Sequence, residues 1–227
     1  FTMALILAND RWGSDDDVAA GAIDYNADAW MLLDVMRNKE KANGGIIDGI
    51  TNSFDSHTLL AFDEPKVTSF NFTRLANEMP AYYEMWAQAT SDPFWTAAAV
   101  NARGFWKSLA NTETGLLPVK AYFFSDNEVD GWNVFAPEGY RTQLNMTLAQ
   151  IWTGAGADTW SQAEANVLID FFAKIIASGA DNYAMSYELD GTVIDSTAAD
   201  ASLISANGMS ALISTSYNRK QFIEAVW

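Results

Sequence analysis

The fold of this protein is decided in residues 79–109, which read MPAYYEMWAQATSDPFWTAAAVNARGFWKSL. The first part has helical apolar spacing, with a proline where a first helical turn tolerates one, and predicts a helix over residues 79–88. The motif Ser91-Asp92-Pro93 is a typical helix start and predicts a second helix over residues 93–109. We expect the two helices to pack as an antiparallel hairpin, because so short a connection leaves them side by side.

Helical spacing recurs along the rest of the chain. Residues 24–37 place their apolar side chains on one helical face. Ser161 and Glu164 form a capping-box pattern, a helix-start signal, and the helix that it predicts ends at Gly179. Further helices are predicted over residues 138–152, 199–214 and 218–227.

One small β-hairpin interrupts the helices. Apolar and polar residues alternate over residues 183–193, on both sides of Asp190-Gly191. This dipeptide is a strong signal for a tight hairpin turn. Residues 44–72 and 118–135 show no periodicity and are predicted as loops. About seven helices without βαβ alternation or short repeats predict an all-α fold, either a bundle or an α/α toroid with its long loops gathered at one end.

Composition limits the function. A chain of 227 residues is expected to form one domain, and 29 acidic against 13 basic residues give a net charge of −16. This charge argues against nucleic acid or an anionic membrane as a partner, and it fits a neutral or cationic ligand or a need for solubility alone. The chain has no cysteine, which excludes thiol catalysis, disulfides and Cys-ligated zinc. No apolar run reaches the roughly 18 residues of a membrane span.

Both ends of the sequence run through an apolar pattern. Residues 1–8 read as a buried helix without its beginning, and residues 222–227 stop inside a similar pattern. No basic region precedes the first apolar residues, so they do not resemble a signal peptide. We therefore expect residues 1–227 to be a single domain and an internal piece of a longer one.

Several kinds of catalytic site find little support. A Ser-His-Asp triad would need His57, the only histidine, and no Gly-x-Ser-x-Gly motif is present; a solvated or loop-packing histidine is favoured. Asp15-Asp16-Asp17 lacks the ligand spacing of a calcium loop and fits a favourable position before a helix. No phosphate-binding glycine loop is found, and we expect neither a metal nor another cofactor.

The remaining kind of catalytic site is a pair of carboxylates, as used in glycoside hydrolysis. The stretch FAPEGYRTQLNM at residues 135–146 places Glu138 at a predicted helix start, with Tyr140 and Arg141 in the next turn. A carboxylate in the first turn of a helix is also explained by the helix dipole alone. The residues by themselves leave both interpretations open.

Aromatic residues give the same ambiguity. The chain has 9 Trp, 8 Tyr and 13 Phe. Those at helical spacing are predicted to be core residues: Trp86, Trp95, Trp106 and Trp152. Those in loops or near helix ends are candidates for stacking on a sugar ring, or else loop anchors: Trp12, Tyr122, Phe124, Trp132 and Phe135.

Four segments, in this order, together resemble glycoside hydrolase family 8, nearest to its reducing-end xylose-releasing exo-oligoxylanases. The segments are Met3-Ala4-Leu5 with Asn9-Asp10-Arg11-Trp12-Gly13, Glu78-Met79-Pro80-Ala81-Tyr82-Tyr83-Glu84-Met85-Trp86-Ala87, Glu138-Gly139-Tyr140-Arg141 with Asn145, and Tyr187-Glu188-Leu189-Asp190-Gly191 with Ser205-Ala206-Asn207-Gly208-Met209. Each motif alone is unspecific, and their order along nearly the whole chain carries the resemblance.

The resemblance implies an (α/α)6 barrel, incomplete at both ends, that hydrolyses β-1,4 linkages of xylan or xylo-oligosaccharides with inversion. It implies that Glu138 is the general base that activates water. Tyr140 and Arg141 would orient the water or the sugar. The other implied substrate-binding residues are Arg11, Trp12, Trp132 and Phe135.

The sequence departs from the family pattern at several positions. The family's general acid, a Glu, would fall just before Phe1, so this chain alone is expected to be inactive. Glu138 and Arg74 each stand where the family has an Asp, and residues 198–200 replace a Leu-His-Pro kink of the exo-acting members, which leaves endo or exo action open. The alternatives are a non-catalytic carbohydrate-binding protein on a degenerate family-8-like scaffold and a different α/α toroid.

Overall fold

The computed structural model describes residues 1–14, 23–69, 71–124, 129–154, 159–179 and 183–226. These residues contain eight α-helices and five short β-strands. The helices are α1 (Thr2–Trp12), α2 (Tyr25–Asn43), α3 (Pro80–Thr90), α4 (Pro93–Leu109), α5 (Arg141–Thr153), α6 (Trp160–Ala177), α7 (Ala201–Ile213) and α8 (Arg219–Glu224). The strands are β1 (Phe72–Arg74), β2 (Lys120–Tyr122), β3 (Val134–Phe135), β4 (Ala184–Glu188) and β5 (Val193–Ala198).

The helix pair α3–α4 forms as the sequence predicts. Asp92 caps α4, because its Oδ1 accepts a hydrogen bond of 2.9 Å from the backbone N of Phe94. Ser91 makes the turn in the left-handed region, with a φ of 55°. The two helices bury Trp86 and Trp95 against each other, edge to face, with ring centroids 4.8 Å apart. The short connection therefore gives the expected helical hairpin.

The apolar residues form three clusters. An N-terminal core packs α1, α2, α3 and α4 around residues such as Leu33 and Trp95. A C-terminal core packs α6, α7 and α8 against β4 around Phe172. A small bridging cluster that includes Trp106 and Met146 joins α4 to α5 between them. The prediction that Trp152 is a core residue is wrong, since its side chain is 44% exposed.

Two small antiparallel sheets connect the loops. Strands β1 and β2 pair Phe72 with Tyr122 and Arg74 with Lys120. The hairpin β4–β5 confirms the prediction over residues 183–193, and β3 extends it as a third strand. Sequence alone could not predict β3, because a strand of two residues shows no alternation.

The start of α6 differs from the prediction. The helix begins at Trp160, after Thr159, whose side chain makes no capping hydrogen bond. Ser161 therefore lies inside the first turn with no exposed surface, and Glu164 is only 6% exposed. The predicted capping box is wrong, because the Ser-x-x-Glu pattern lies within the helix and faces the core.

Candidate functional site

Glu138 lies in a 3₁₀ turn, Pro137–Gly139, between β3 and α5. The α-helix starts only at Arg141, so Glu138 precedes it and does not open it. The side chain is exposed, and its carboxylate forms no hydrogen bond or ion pair with the part of the chain that the structure describes. Such a carboxylate can accept a proton from water or a hydrogen bond from a sugar hydroxyl.

Two buried aromatic residues hold this turn. Phe135 is 2% exposed and Tyr140 is 3% exposed, and their ring centroids are 5.1 Å apart. The hydroxyl of Tyr140 donates to the backbone O of Met185 in β4. These contacts do not support the predicted stacking of Phe135 on a sugar or the predicted orienting of water or sugar by Tyr140, and both roles stay predictions. Both residues anchor the backbone on either side of Glu138.

Acidic neighbours affect the pKa of Tyr140. Burial raises the pKa of its hydroxyl most, and nearby Asp200, Tyr187, Glu138 and Asp195 raise it further. Tyr140 therefore stays protonated and keeps its donor role towards β4. The sequence shows no pattern that would group Asp195 and Asp200 with Glu138.

Asp195 and Asp200 are unsuited to donate a proton. The backbone N–H of Thr197 bonds to Asp195, and the hydroxyl of Ser202 bonds to Asp200; these bonds lower the pKa of both carboxyl groups. Asp200 is also the N-terminal cap of α7. Both carboxylates are therefore expected to stay ionised at neutral pH.

Glu78 and Glu164, in contrast, are described carboxyl groups with a raised pKa, and burial is the main cause in each. The pKa of Glu78 is raised to about 8 and that of Glu164 to about 7. Glu78 is 0% exposed and Glu164 is 6% exposed. A general acid has to reach the leaving oxygen of the substrate, so neither group has the access that this role requires.

A cluster of one acid and two bases, named here the Asp63 cluster, lies along β1 and β2. Asp63 Oδ1 is 3.2 Å from Arg74 Nε, and its Oδ2 is 2.7 Å from Lys120 Nζ. The Asp63 side chain is 8% exposed. Arg74, which stands where the resemblance implies an Asp, thus brings a carboxylate of another segment to β1. Sequence reasoning missed Asp63 because it lies 57 positions from Lys120.

Trp132 is adjacent to this cluster. The ammonium group of Lys120 lies 4.6 Å from the Trp132 ring centroid, a cation–π contact. The indole is half-buried, which fits a stacking platform with one face occupied by the cation. The backbone O of Trp132 accepts from Val119 N at 3.1 Å, and Val119 packs on Gly139 beside Glu138. The stacking role of Trp132 stays a prediction.

The remaining predicted site residues are exposed. Arg141 begins α5, and its guanidinium has no partner within the described ranges. Arg11 and Trp12 end α1, which packs on α2 and α3, whereas the turn of Glu138 packs on α5. Trp12 is 72% exposed, and its ring centroid is 6.2 Å from that of Tyr25. Their roles in substrate binding stay predictions.

Other chemistries find no support in the described residues. His57 is exposed, and its Nδ1 lies 3.2 Å from the hydroxyl of Ser56, in keeping with a loop histidine. No group of three or more His, Asp or Glu side chains among those that the structure describes could hold a metal ion. Residues 15–17 lie outside the described residues. None of the described helices is sufficiently long and apolar to cross a membrane.

Two curated proteins resemble this chain in sequence. A reducing end xylose-releasing exo-oligoxylanase of Halalkalibacterium halodurans is 29% identical over an alignment of 220 positions, which covers 94% of this chain and 52% of the relative. One of the same name from Bifidobacterium adolescentis is 25% identical over an alignment of 244 positions, which covers 100% of this chain and 58% of the relative. The chain therefore spans about half the length of the curated relatives that it matches. No protein-family model matches it.

Solved structures agree in fold. A crystal structure of a reducing-end-xylose releasing exo-oligoxylanase matches with a TM-score of 0.82 and 26% identity, over 100% of this chain and 57% of that one. A Paenibacillus barcinonensis structure complexed with xylose matches with a TM-score of 0.80 and 23% identity, over 99% of this chain and 57% of that one. These matches confirm the predicted fold class, a mostly helical architecture consistent with an (α/α)6 barrel.

Proposed function

We propose that this chain belongs to a glycoside hydrolase of family 8 that cleaves β-1,4 linkages of xylo-oligosaccharides or xylan, with residues 1–227 in a single toroid domain. The two curated relatives and the matching structures bear the name of xylose-releasing exo-oligoxylanases, which supports the substrate class. One neighbour of the same fold is complexed with an arabinofuranosyl-xylotetraose. The acidic surface, with a net charge of −16, is compatible with a neutral saccharide.

The position of Glu138 carries the proposal. Its carboxylate is exposed and unpaired among the described residues, while Phe135 and Tyr140 fix the turn on both sides. A catalytic base needs this combination of solvent access and a rigid backbone, because misplacement by about 1 Å can reduce the rate by about a hundredfold. Arg141 is the residue after Tyr140, and its guanidinium can donate hydrogen bonds to sugar hydroxyls.

The reaction assigned to this site is inverting hydrolysis. Glu138 takes a proton from water while the water oxygen attacks the anomeric carbon and the glycosidic C–O bond breaks. The leaving oxygen takes a proton from a second carboxylic acid. The described carboxyl groups with a raised pKa, Glu78 and Glu164, are too buried for this step. We infer that the acid is neither of these two groups.

The test compares Glu138→Gln with wild type in the natural full-length protein. Release of xylose from xylotetraose is followed by chromatography, and the anomer of the new reducing end is read by proton NMR. We expect kcat to fall by about 10²–10⁴-fold, the usual contribution of a general base, and the wild-type product to have the inverted configuration.

Glu113→Gln is the matched control, since Glu113 is an exposed loop glutamate and the substitution removes the same charge. Its activity should equal that of wild type. Equal rates for Glu138→Gln and Glu113→Gln would overturn the base assignment. Saccharide binding without any cleavage by the full-length protein would favour the non-catalytic alternative.

A further inference from the structure

A concave site lies at the loop after α2, and no residue of the turn of Glu138 lines it. It is a cavity of about 450 Å³, a size typical of ligand pockets. Two of its lining residues, Phe54 and Phe62, are core residues with 7% exposure each. Phe124, in contrast, is 71% exposed at the rim. The cavity therefore has an anchored aromatic floor and one free aromatic ring.

The polar wall of the cavity is held in place by hydrogen bonds. Glu40 and Asn52 bond reciprocally: Asn52 Oδ1 accepts from Glu40 N at 3.0 Å, and Glu40 Oε1 accepts from Asn52 N at 2.9 Å. Asp55 Oδ2 accepts from the backbone N of His57 at 3.0 Å, which fixes the loop. Asn52 Nδ2 and the side-chain amide of Asn71 have no partner among the described residues, so they remain available to a ligand.

The polar residues that line the cavity indicate the chemical class of its ligand. Glu40 and Asp55 line the cavity, and no lysine or arginine does, which disfavours an anion. No described group of His, Asp and Glu side chains could hold a metal ion, although His57 is also in the lining. Amide donors, carboxylate acceptors and an aromatic face together suit a neutral molecule that carries hydroxyl groups on a flat apolar ring. A pyranose has this character.

The two-stranded sheet connects this cavity to the region of Glu138. Asn71 precedes β1 and Phe124 follows β2, so both lie at one end of the sheet. At the other end, Lys120 contacts Trp132. The four steps of extended chain from Lys120 to Phe124 span at most about 14 Å. A short oligosaccharide can cover this distance.

We propose that this cavity is a separate saccharide-binding site, which holds one neutral xylose unit of a xylo-oligosaccharide, with Phe124 stacked on the sugar ring. The assignment of the sugar class rests on the proposed function. Asn71 and Asn52 donate hydrogen bonds to the sugar hydroxyls, and Glu40 and Asp55 accept them. The site extends substrate binding beyond the bond that is cleaved.

The single histidine provides a specific probe. His57 is the only histidine of residues 1–227. Its ring signals in a carbon–proton NMR spectrum of the full-length protein are assigned by their loss in a His57→Gln variant. Xylotetraose is titrated into Glu138→Gln protein, in which slow cleavage should leave the oligosaccharide intact during the titration. We expect the His57 ring signals to shift in a saturable manner. Phe124→Ala should weaken the affinity read from this shift about fivefold to tenfold, the loss expected for one stacking contact.

Tyr217→Ala is the matched control, since Tyr217 is 99% exposed and lies outside the cavity. Circular dichroism verifies that both alanine variants fold. Unmoved His57 signals at saturating xylotetraose, or equal affinities of the Phe124→Ala and Tyr217→Ala proteins, would overturn the proposal.

The two proposals can fail separately. If cleavage proceeds without Glu138 while the His57 response still depends on Phe124, the catalytic assignment fails and the saccharide site stands. If cleavage depends on Glu138 but the His57 ring signals do not shift on titration with xylotetraose, the saccharide site alone fails. If the full-length protein binds no xylotetraose at all, the saccharide site and the substrate class fail together.

Discussion

Glu78 joins three segments of the N-terminal core. Its Oε1 accepts from Ala61 N at 2.9 Å and from the Thr73 hydroxyl at 3.3 Å, and its Oε2 accepts from the Tyr83 hydroxyl at 3.2 Å. Burial raises its pKa to about 8, because these donors offset only part of the loss of hydration. The folded protein therefore binds a proton at pH values where the unfolded chain has released it.

This difference predicts a pH-dependent stability. The pKa of Glu78 is raised on folding from 4.5 to about 8. Its contribution is fully present below the unfolded value and is lost as the pH rises through the folded value. We expect the free energy of unfolding to fall by a few kcal/mol between about pH 5 and about pH 8, since one pKa unit corresponds to about 1.4 kcal/mol.

Urea denaturation of Glu78→Gln and wild type across this range measures the effect. Glutamine keeps the shape and an acceptor oxygen but has no titratable proton, so the Glu78→Gln protein should lose less stability than wild type. A smaller loss should remain, because Glu164 titrates in the same direction with a pKa of about 7. Parallel curves for wild type and Glu78→Gln would contradict the prediction.

For single residues, the sequence could predict which stretch forms the candidate site, but not which way each side chain is oriented. The sequence pointed to residues 135–146, yet Phe135 and Tyr140 proved to be anchors. Phe135 belongs to a two-residue strand, too short for alternation to reveal which face is buried. Tyr140 meets its acceptor, Met185, only through the pairing of β3 with β4.

The turn after α4 shows how one element fixes another. Gly115 has a φ of 72°, and a Cβ added there would lie 2.8 Å from the backbone N of Leu168 in α6. The obstacle is helix backbone, so no change of side-chain rotamer can relieve it. The close packing of this turn on α6 thus requires glycine for its conformation and for its lack of a side chain.

We expect Gly115→Ala to destabilise the protein by about 2–4 kcal/mol, because strain at a positive φ adds to the displacement of α6. Gly104→Ala is the control: Gly104 lies within α4, and an added Cβ meets nothing within 4 Å. It should stabilise the protein by about 0.5–1 kcal/mol through helix propensity. Urea denaturation midpoints of the two variants should shift in opposite directions; shifts in the same direction would be contrary to this account.

Elements could be predicted where local chemistry dominates. The bounds of α4, Pro93–Leu109, agree with the prediction because Asp92 caps the helix and a proline fills its first turn. The capping-box prediction failed at Ser161, since a four-residue pattern does not reveal whether it lies before a helix or inside one. There the burial of α6 in the C-terminal core overrides the local signal.

At the scale of the whole molecule, long-range pairs limited the prediction. The Asp63 cluster joins a loop to β1 and β2, and Asp63 is one of 29 acidic residues without any motif of its own. Only the pairing of β1 with β2 places Arg74 opposite Lys120, and so makes a site for one carboxylate between two cations. Pairings of this kind depend on the assembled fold.

The net charge of −16 leads to the last prediction. With more than twice as many acidic as basic residues, most surface carboxylates repel one another in the folded state. The Debye length falls from about 30 Å at ~0.01 M salt to about 8 Å at ~0.15 M, so salt screens this repulsion. We expect the Tm to rise by about 2–4 °C over this range, which corresponds to about 1 kcal/mol for a chain of this size.

Sodium chloride and choline chloride should give the same rise in calorimetry, because screening depends on ionic strength and not on the cation. A double variant, Glu113→Gln with Asp130→Asn, removes two exposed charges and should show a smaller rise. The affinity for neutral xylotetraose should stay constant, since screening acts on charged groups alone. A Tm that falls with salt would mean that favourable ion pairs such as Asp63–Lys120 outweigh the repulsion, and that the acidic surface is not the main electrostatic term in folding.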